Sequence, residues 1–149
     1  MNDKAKIGDM FCLGKKLYDR SLQPVCDTYE ITRNELDILL FLANQPEYDT
    51  AAEIVEHRKL TKSHVSVSLK ALIVQGYVQT AYCEGNRKSI HLNLTPKASE
   101  IVEEGRKAQR QFFSSIFEGM TAQQMEAMKE SVEIIINNVR KAMKGEVTK

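Results

Sequence analysis

The chain has 149 residues, the length of one ordinary domain and too short for two independent cores. Hydrophobic residues at 42% and charged residues at 28% exclude disorder as the main state, and only 3 prolines and 7 glycines favour long helices over many short strands. The net charge of +1 conceals a basic segment, because Arg58, Lys59, Lys62, Lys70, Arg87, Lys88 and Lys97 face one acid, Glu84, over residues 58–97; that stretch carries +6 and the remainder −5.

Residues 5–29 are predicted to form a helix, with Ile7, Met10, Phe11, Leu17, Tyr18, Leu22 and Val25 recurring at three- and four-residue steps. Pro24 sits near its end, where proline kinks or stops a helix. Thr32 and Glu35 make a capping-box pair that opens a second helix to about Ala43, with Leu36, Leu39, Leu40 and Ala43 on its inner face. A polar loop with Pro46 spans Asn44–Asp49, and Thr50 with Glu53 opens a short helix at 51–57. A fourth helix runs from Thr61 to Gln75 and stops at Gly76. Tyr77–Cys83 and Ser89–Leu94 then alternate with a two-residue period, Val78, Thr80 and Tyr82 on one side and Ile90, Leu92 and Leu94 on the other. They are joined by the polar linker Glu84–Lys88, which predicts a β-hairpin with a basic tip. Thr95-Pro96 is an N-cap followed by proline at the first helical position and starts a helix of about 95–118; Thr121 with Gln124 opens the last, about 122–144. The longest apolar run, Ile38–Ala43, is far below the roughly 18 residues that spanning a membrane requires. MNDKAKIGDM holds no apolar signal core, so a cytoplasmic location is expected.

Two short helices followed by a hairpin form the pattern of a winged helix–turn–helix. Projected at about 100° per residue, the fourth helix turns Val65, Leu69 and Leu72 to the core. Ser63, Ser66, Val67 and Lys70 fall opposite, with His64 on the flank. Small hydroxyls let a helix approach base edges closely, a valine can touch a thymine methyl, and Lys62 in the first turn suits a phosphate. Any one of these residues fits an amphipathic surface helix equally well. Taken together with the wing tip Asn86-Arg87-Lys88, which suits a minor groove or its phosphates, they point to double-stranded DNA.

At these residues the chain resembles the MarR-type family of bacterial transcription regulators. The resemblance runs from Leu22-Gln23-Pro24-Val25 through Tyr29–Thr32 to the last helix. It is most specific at Leu60–Val78, LTKSHVSVSLKALIVQGYV, and at Leu94-Thr95 after the wing. The family usually carries Asp-x-Arg in the wing; counting back from Leu94-Thr95 places Asn86 and Lys88 at those positions, and Arg87 substitutes if the wing is one residue longer. The family also often has arginine where Val67 stands and another near Thr80. Asn86 cannot form the aspartate's ion pair, and lysine lacks arginine's planar fork.

Met125, Met128, Val132, Ile135, Val139 and Ala142 form a heptad seam on the last helix, and Ile134, Ile136 and Met143 widen it beyond what one neighbour covers. The alternative is a helix packed wholly within its own monomer. The resemblance implies a homodimer built on the terminal helices: one domain, 1–149, with 32–95 as the winged helix–turn–helix and 1–31 and 96–149 as dimerisation helices. It also implies a pseudo-palindromic operator, repression as the default with activation open, and release by a small, phenolic or aromatic effector. Phe11, Cys12, Lys16 and Tyr18 lie near the junction where such an effector would sit, although aromatics at helical spacing are more often core than pocket.

Two other readings remain. Peroxide-sensing relatives place a reactive cysteine early in the first helix, and Cys12 falls about one turn off that position. Cys12 and Cys26 stand about 21 Å apart if one helix carries both, too far to pair, so buried inert thiols are expected. A winged helix that docks on protein is the alternative from another class, although it needs no basic wing tip. His57, His64 and His91 show no metal-ligand spacing, and no nucleophile motif or phosphate-cradling loop is present. Neither metal, cofactor nor enzymatic activity is expected.

Overall fold

The computed structural model describes residues 2–58, 60–83 and 85–147, apart from the side chains of 83, 86–88, 146 and 147. It divides into two compact units, Met1–Phe112 and Phe113–Lys149.

The first unit opens with α1 (Asp3–Tyr29), capped by Asn2, whose side chain accepts the Ala5 N–H at 2.8 Å. The helix ends where Glu30 turns left-handed at φ 54°. Pro24 lies inside it, and helical structure continues to Tyr29. A proline forfeits one backbone bond, and burial of Leu22, Val25 and Cys26 on either side of it holds the segment to the core. The N-terminal half is different: Ile7, Met10, Phe11 and Leu13 are all exposed.

The expected capping box closes at α2 (Arg33–Asn44), with the Glu35 N–H donating to Thr32 Oγ1 at 3.1 Å and the Thr32 N–H donating back to the Glu35 carboxylate at 3.4 Å. Glu53 repeats the device at α3 (Ala51–Arg58), where one carboxylate oxygen accepts from the Asp49 and Thr50 N–H groups at 2.9 and 3.0 Å. Thr61 caps α4 (Lys62–Val74) by accepting the His64 N–H. At its end the Tyr77 N–H donates to the Leu72 carbonyl at 2.9 Å and the Gly76 N–H to the Ile73 carbonyl at 3.0 Å. This closure puts Gly76 at φ 81°, a conformation strained for any residue with a Cβ.

Strands β1 (Val78–Cys83) and β2 (Asn86–Leu94) pair antiparallel, Val78 opposite Leu94, Thr80 opposite Leu92 and Tyr82 opposite Ile90. The linker expected at 84–88 is thus shorter than its polarity suggests, because β2 already begins at Asn86, opposite Cys83. Gly85 at φ 80° supplies the positive φ of a tight turn, and the register shift beyond Tyr82 leaves 87–89 as an insertion in β2. Asp49 ties the hairpin to the loop before α3: its carbonyl accepts the Leu92 N–H at 2.7 Å, and its carboxylate meets His91 Nδ1 at 2.8 Å.

Thr95 does not cap the next helix with its side chain. Its hydroxyl donates instead to the Gly76 carbonyl at 2.6 Å, one of the orphan acceptors beyond α4, and a 3-10 turn, Pro96–Ala98, precedes α5 (Ser99–Ile116). On α5, Arg106 donates to the Ala43 carbonyl at 3.0 Å and to Asn44 Oδ1 at 2.9 Å, closing the end of α2. Gly105 lies against Leu40 of α2. Enclosed by α1, α4, β2 and α5, α2 buries Ile38, Phe41 and Leu42 as well as the predicted Leu36, Leu39 and Leu40.

The second unit contains α6 (Ala122–Val147), opened by reciprocal bonds between Thr121 and Gln124 at 2.9 and 3.1 Å. Val132, Ile134, Ile135, Ile136, Val139 and Met143 are exposed along it. Among the described residues no helix is long and apolar enough to cross a membrane.

A Cβ at Gly105 would meet the buried Leu40 Cδ2 at 2.8 Å. Gly105→Val is expected to lower unfolding free energy by about 2 kcal/mol through overpacking. Gly105→Ala is expected to change it by less than about 1 kcal/mol, since helix propensity repays much of the clash. Urea denaturation of the two variants checks both figures.

Candidate nucleic-acid interface

Helix α4 has two unlike sides. Val65, Ser68, Leu69 and Leu72 are buried, which fixes the helix against α2 and α3. Lys62, Ser63, His64, Ser66, Val67 and Lys70 are all exposed, as the helical projection predicts. Rotation of α4 about its axis would put Val65 or Leu72 into water, so the buried side chains set which residues face outward. Along one flank, α3 and α4 enclose a largely apolar groove of about 480 Å³, walled by Ala51, Val55, Leu69 and Ile73 and edged by Lys62, Ser66 and Lys70. The outward face offers two hydroxyls that donate or accept, one imidazole, two ammonium groups and one aliphatic group, and no acid lies between Lys62 and Val74. Such a surface can approach a polyanion without repulsion.

The hairpin carries the second set of predicted residues. The backbone places Asn86, Arg87 and Lys88 at the start of β2, next to the turn, while their side chains lie outside the described ones. Tyr82 and Ile90, opposite one another near this end, are exposed, whereas Val78 and Leu92 nearer the base are buried. The hairpin thus leaves the core along its length.

One basic residue of the 58–97 segment serves the fold. Lys97 donates to the Gln75 carbonyl at 2.7 Å and stands 4.8 Å over the Tyr77 ring, so its charge is spent at the C-terminal end of α4. Composition could not reveal this, because Lys97 and Gln75 are brought together only by the hairpin between them.

The candidate effector residues are dispersed along α1. Phe11, Cys12 and Lys16 are exposed, and none of the four borders the α3–α4 groove. Tyr18 is half-buried, edge-on to Phe112 at 5.1 Å, and its hydroxyl accepts from Gln109 Nε2 at 2.8 Å. Arg33 lies 5.6 Å above the same ring and binds Asp37 at 2.7 Å and Asp19 at 3.1 Å, a polar cluster that sequence reading missed. The cysteines correct an expectation. Cys26 is buried, which pushes its thiol pKa up and keeps it protonated, but Cys12 is exposed because the N-terminal half of α1 has no cover within the unit. The histidines serve separate places: His57 stacks on Tyr48 at 4.0 Å, His91 meets Asp49, and His64 lies on the open face of α4.

Residues 29–89 match the family model described as MarR family. The chain is 28% identical over 108 residues to the HTH-type transcriptional regulator PecS of Dickeya dadantii (strain 3937), covering 68% of this chain and 65% of that protein. It therefore spans just under two thirds of the curated relative it matches. Among solved structures it is similar to a MarR family transcriptional regulator of Listeria monocytogenes complexed with a 26-mer DNA, at TM-score 0.78 and 16% identity over 93% of this chain and 90% of that one. It is likewise similar to Staphylococcus aureus MarR in complex with salicylate and kanamycin, at TM-score 0.74 and 21% identity over 93% of each chain. At these identities the structural likeness establishes the winged-helix fold.

The different duties of two lysines are separable by experiment. Lys97→Met is expected to cost about 1 kcal/mol of stability by removing the bond to Gln75 and the Tyr77 contact. Lys70→Met, on an open face, is expected to change stability by less than about 0.5 kcal/mol. Thermal unfolding of both variants tests this assignment.

Proposed function

We propose that the protein is a MarR-type, sequence-specific transcription regulator of double-stranded DNA, a binding protein and not an enzyme, a reading supported by the match of residues 29–89 to the MarR family model. The observation that carries this reading is the open face of α4: two serines, two lysines, a histidine and a valine held outward by the burial of Val65, Ser68, Leu69 and Leu72 opposite. Ser63, His64, Ser66, Val67 and Lys70 meet base edges in the major groove and Lys62 a phosphate. Asn86, Arg87 and Lys88 reach the adjacent minor groove or its phosphates. Residues 32–95 form the reading part of one domain spanning 1–149.

The exposed apolar rows of α1 and α6 support a homodimer built on 1–31 and 96–149. Val132, Ile135 and Val139 lie on one heptad seam, and Ile134, Ile136 and Met143 extend it. A two-fold pair sets its reading helices about 34–36 Å apart and calls for a pseudo-palindromic operator. Occupation of such a site over a promoter blocks polymerase, so the protein acts as a cytoplasmic repressor. A small phenolic or aromatic effector, bound beside Phe11, Cys12, Lys16 and Tyr18, releases it; the S. aureus relative solved with salicylate supports that class. Tenfold release requires the effector to favour the non-DNA geometry by about 1.4 kcal/mol.

Fluorescence anisotropy with DNA from upstream of the gene, titrated with salt and scrambled competitor, tests the main reading. Tight, competitor-resistant binding with a steep salt slope is expected, and Lys70→Ala and Ser66→Ala should each weaken it severalfold without unfolding the protein. Unchanged affinity in both variants would remove α4 from the interface, and binding that scrambled DNA matches would favour a winged helix that docks on protein. Ile135→Glu is expected to convert dimer to monomer or insoluble protein on size-exclusion chromatography. An intact dimer would contradict the proposed seam.

A further inference from the structure

Val67 is 70% exposed on a helix whose Val65, Leu69 and Leu72 are buried. The other exposed aliphatics of α4, Ile73 and Val74, line the groove toward α3; Val67 does not. Its neighbours on the open face are Ser63 and Ser66, too short to cover it, with the exposed His64 and Lys70 one turn to either side. A β-branched aliphatic thus stands exposed within a polar, cationic surface.

What this face lacks decides what it can read. Between Lys62 and Val74 there is no arginine for the bidentate pair with guanine, no asparagine or glutamine for adenine, and no acid to accept from cytosine N4. The serine hydroxyls satisfy any base. Lys62 and Lys70 are point charges that phosphates satisfy as readily as bases, and the His64 imidazole lies to the flank. Val67 is the apolar group at the centre of the face, and the major groove offers it one apolar partner, the C5-methyl of thymine.

We propose that Val67 is a specificity-determining residue that reads a thymine C5-methyl in each operator half-site. This rests on the DNA-binding reading above and narrows it: at one fixed position facing α4 the methyl itself, more than the pairing edge of the base, is recognised. Uracil, identical except for that methyl, is then a poor substitute, and 5-methylcytosine, which carries a methyl at the same place in the groove, is a better one than cytosine. Burial of a single methyl is worth about fourfold in affinity, so removing both from a two-fold site costs about fifteenfold.

The test begins with selection of duplexes by the full-length protein from a randomised library. Each thymine of the selected duplex is then replaced in turn by deoxyuridine, and affinities are compared for the wild type and Val67→Ala, with circular dichroism confirming that the variant is folded. The expected result is one position per half-site where uracil weakens wild-type binding about fourfold and leaves Val67→Ala unaffected. A selected duplex whose uracil scan is flat, or a uracil penalty equally large in Val67→Ala, would overturn the assignment while the DNA-binding reading stands. If selection enriches no sequence at all, that reading fails first and the assignment with it.

Discussion

Ile38, Phe41 and Leu42 are buried on α2 with Leu36, Leu39 and Leu40, so every side chain from Ile38 to Leu42 is out of water and the rest of the first unit is arranged to cover that stretch. More than one full turn of apolar residues cannot lie on a surface. α1 covers one flank with Leu22, Val25 and Cys26, α4 another with Val65, Leu69 and Leu72, and β2 contributes Leu92. On α5 the approach is so close that Gly105 stands where any side chain would strike Leu40. At the end of α2 Arg106 donates to the Ala43 carbonyl and to Asn44, satisfying acceptors that the helix leaves open.

The open face of α4 is a by-product of that arrangement. Once one side of α4 is committed to α2, the composition of the other side is unconstrained by packing, and small hydroxyls and lysines occupy it. Both ends are closed by local chemistry, Thr61 at the start and Gly76 at the finish, and then reinforced from beyond the hairpin by Thr95 and Lys97. The helix is held like a rail at both ends and along one side. A surface so held loses little conformational entropy when a partner arrives.

What was legible in the sequence was what is local. The capping pairs Thr32–Glu35, Thr50–Glu53 and Thr121–Gln124 each span three residues, and all three bond as their spacing requires. The two-sidedness of α4 and the alternation along the two strands follow from periods of 3.6 and 2, whereas the register shift beyond Tyr82 does not. Features that depend on distant partners were not legible. Periodicity marked one inner face on α2, whereas the burial of Ile38, Phe41 and Leu42 as well comes from elements on both sides of it in the chain. Thr95 reads as an N-cap, yet its hydroxyl goes to Gly76, nineteen positions back. Lys97 counts as a basic residue like any other until the fold sets it over Tyr77. Cys12 and Cys26 share a helix, and only tertiary cover makes one exposed and the other buried.

Asp49 grips β2 at Leu92 and His91, which pair with Thr80 and Ala81 midway along β1. From Thr80 to Cys83 the strand reaches roughly 10 Å beyond the grip, at about 3.3 Å per residue. The hairpin is therefore a cantilever clamped at mid-length, and a tilt of roughly 10° at the clamp swings its tip by about 1.7 Å. Movement of the loop that carries Asp49 is in this way carried to the far end, with no deformation of the strands themselves.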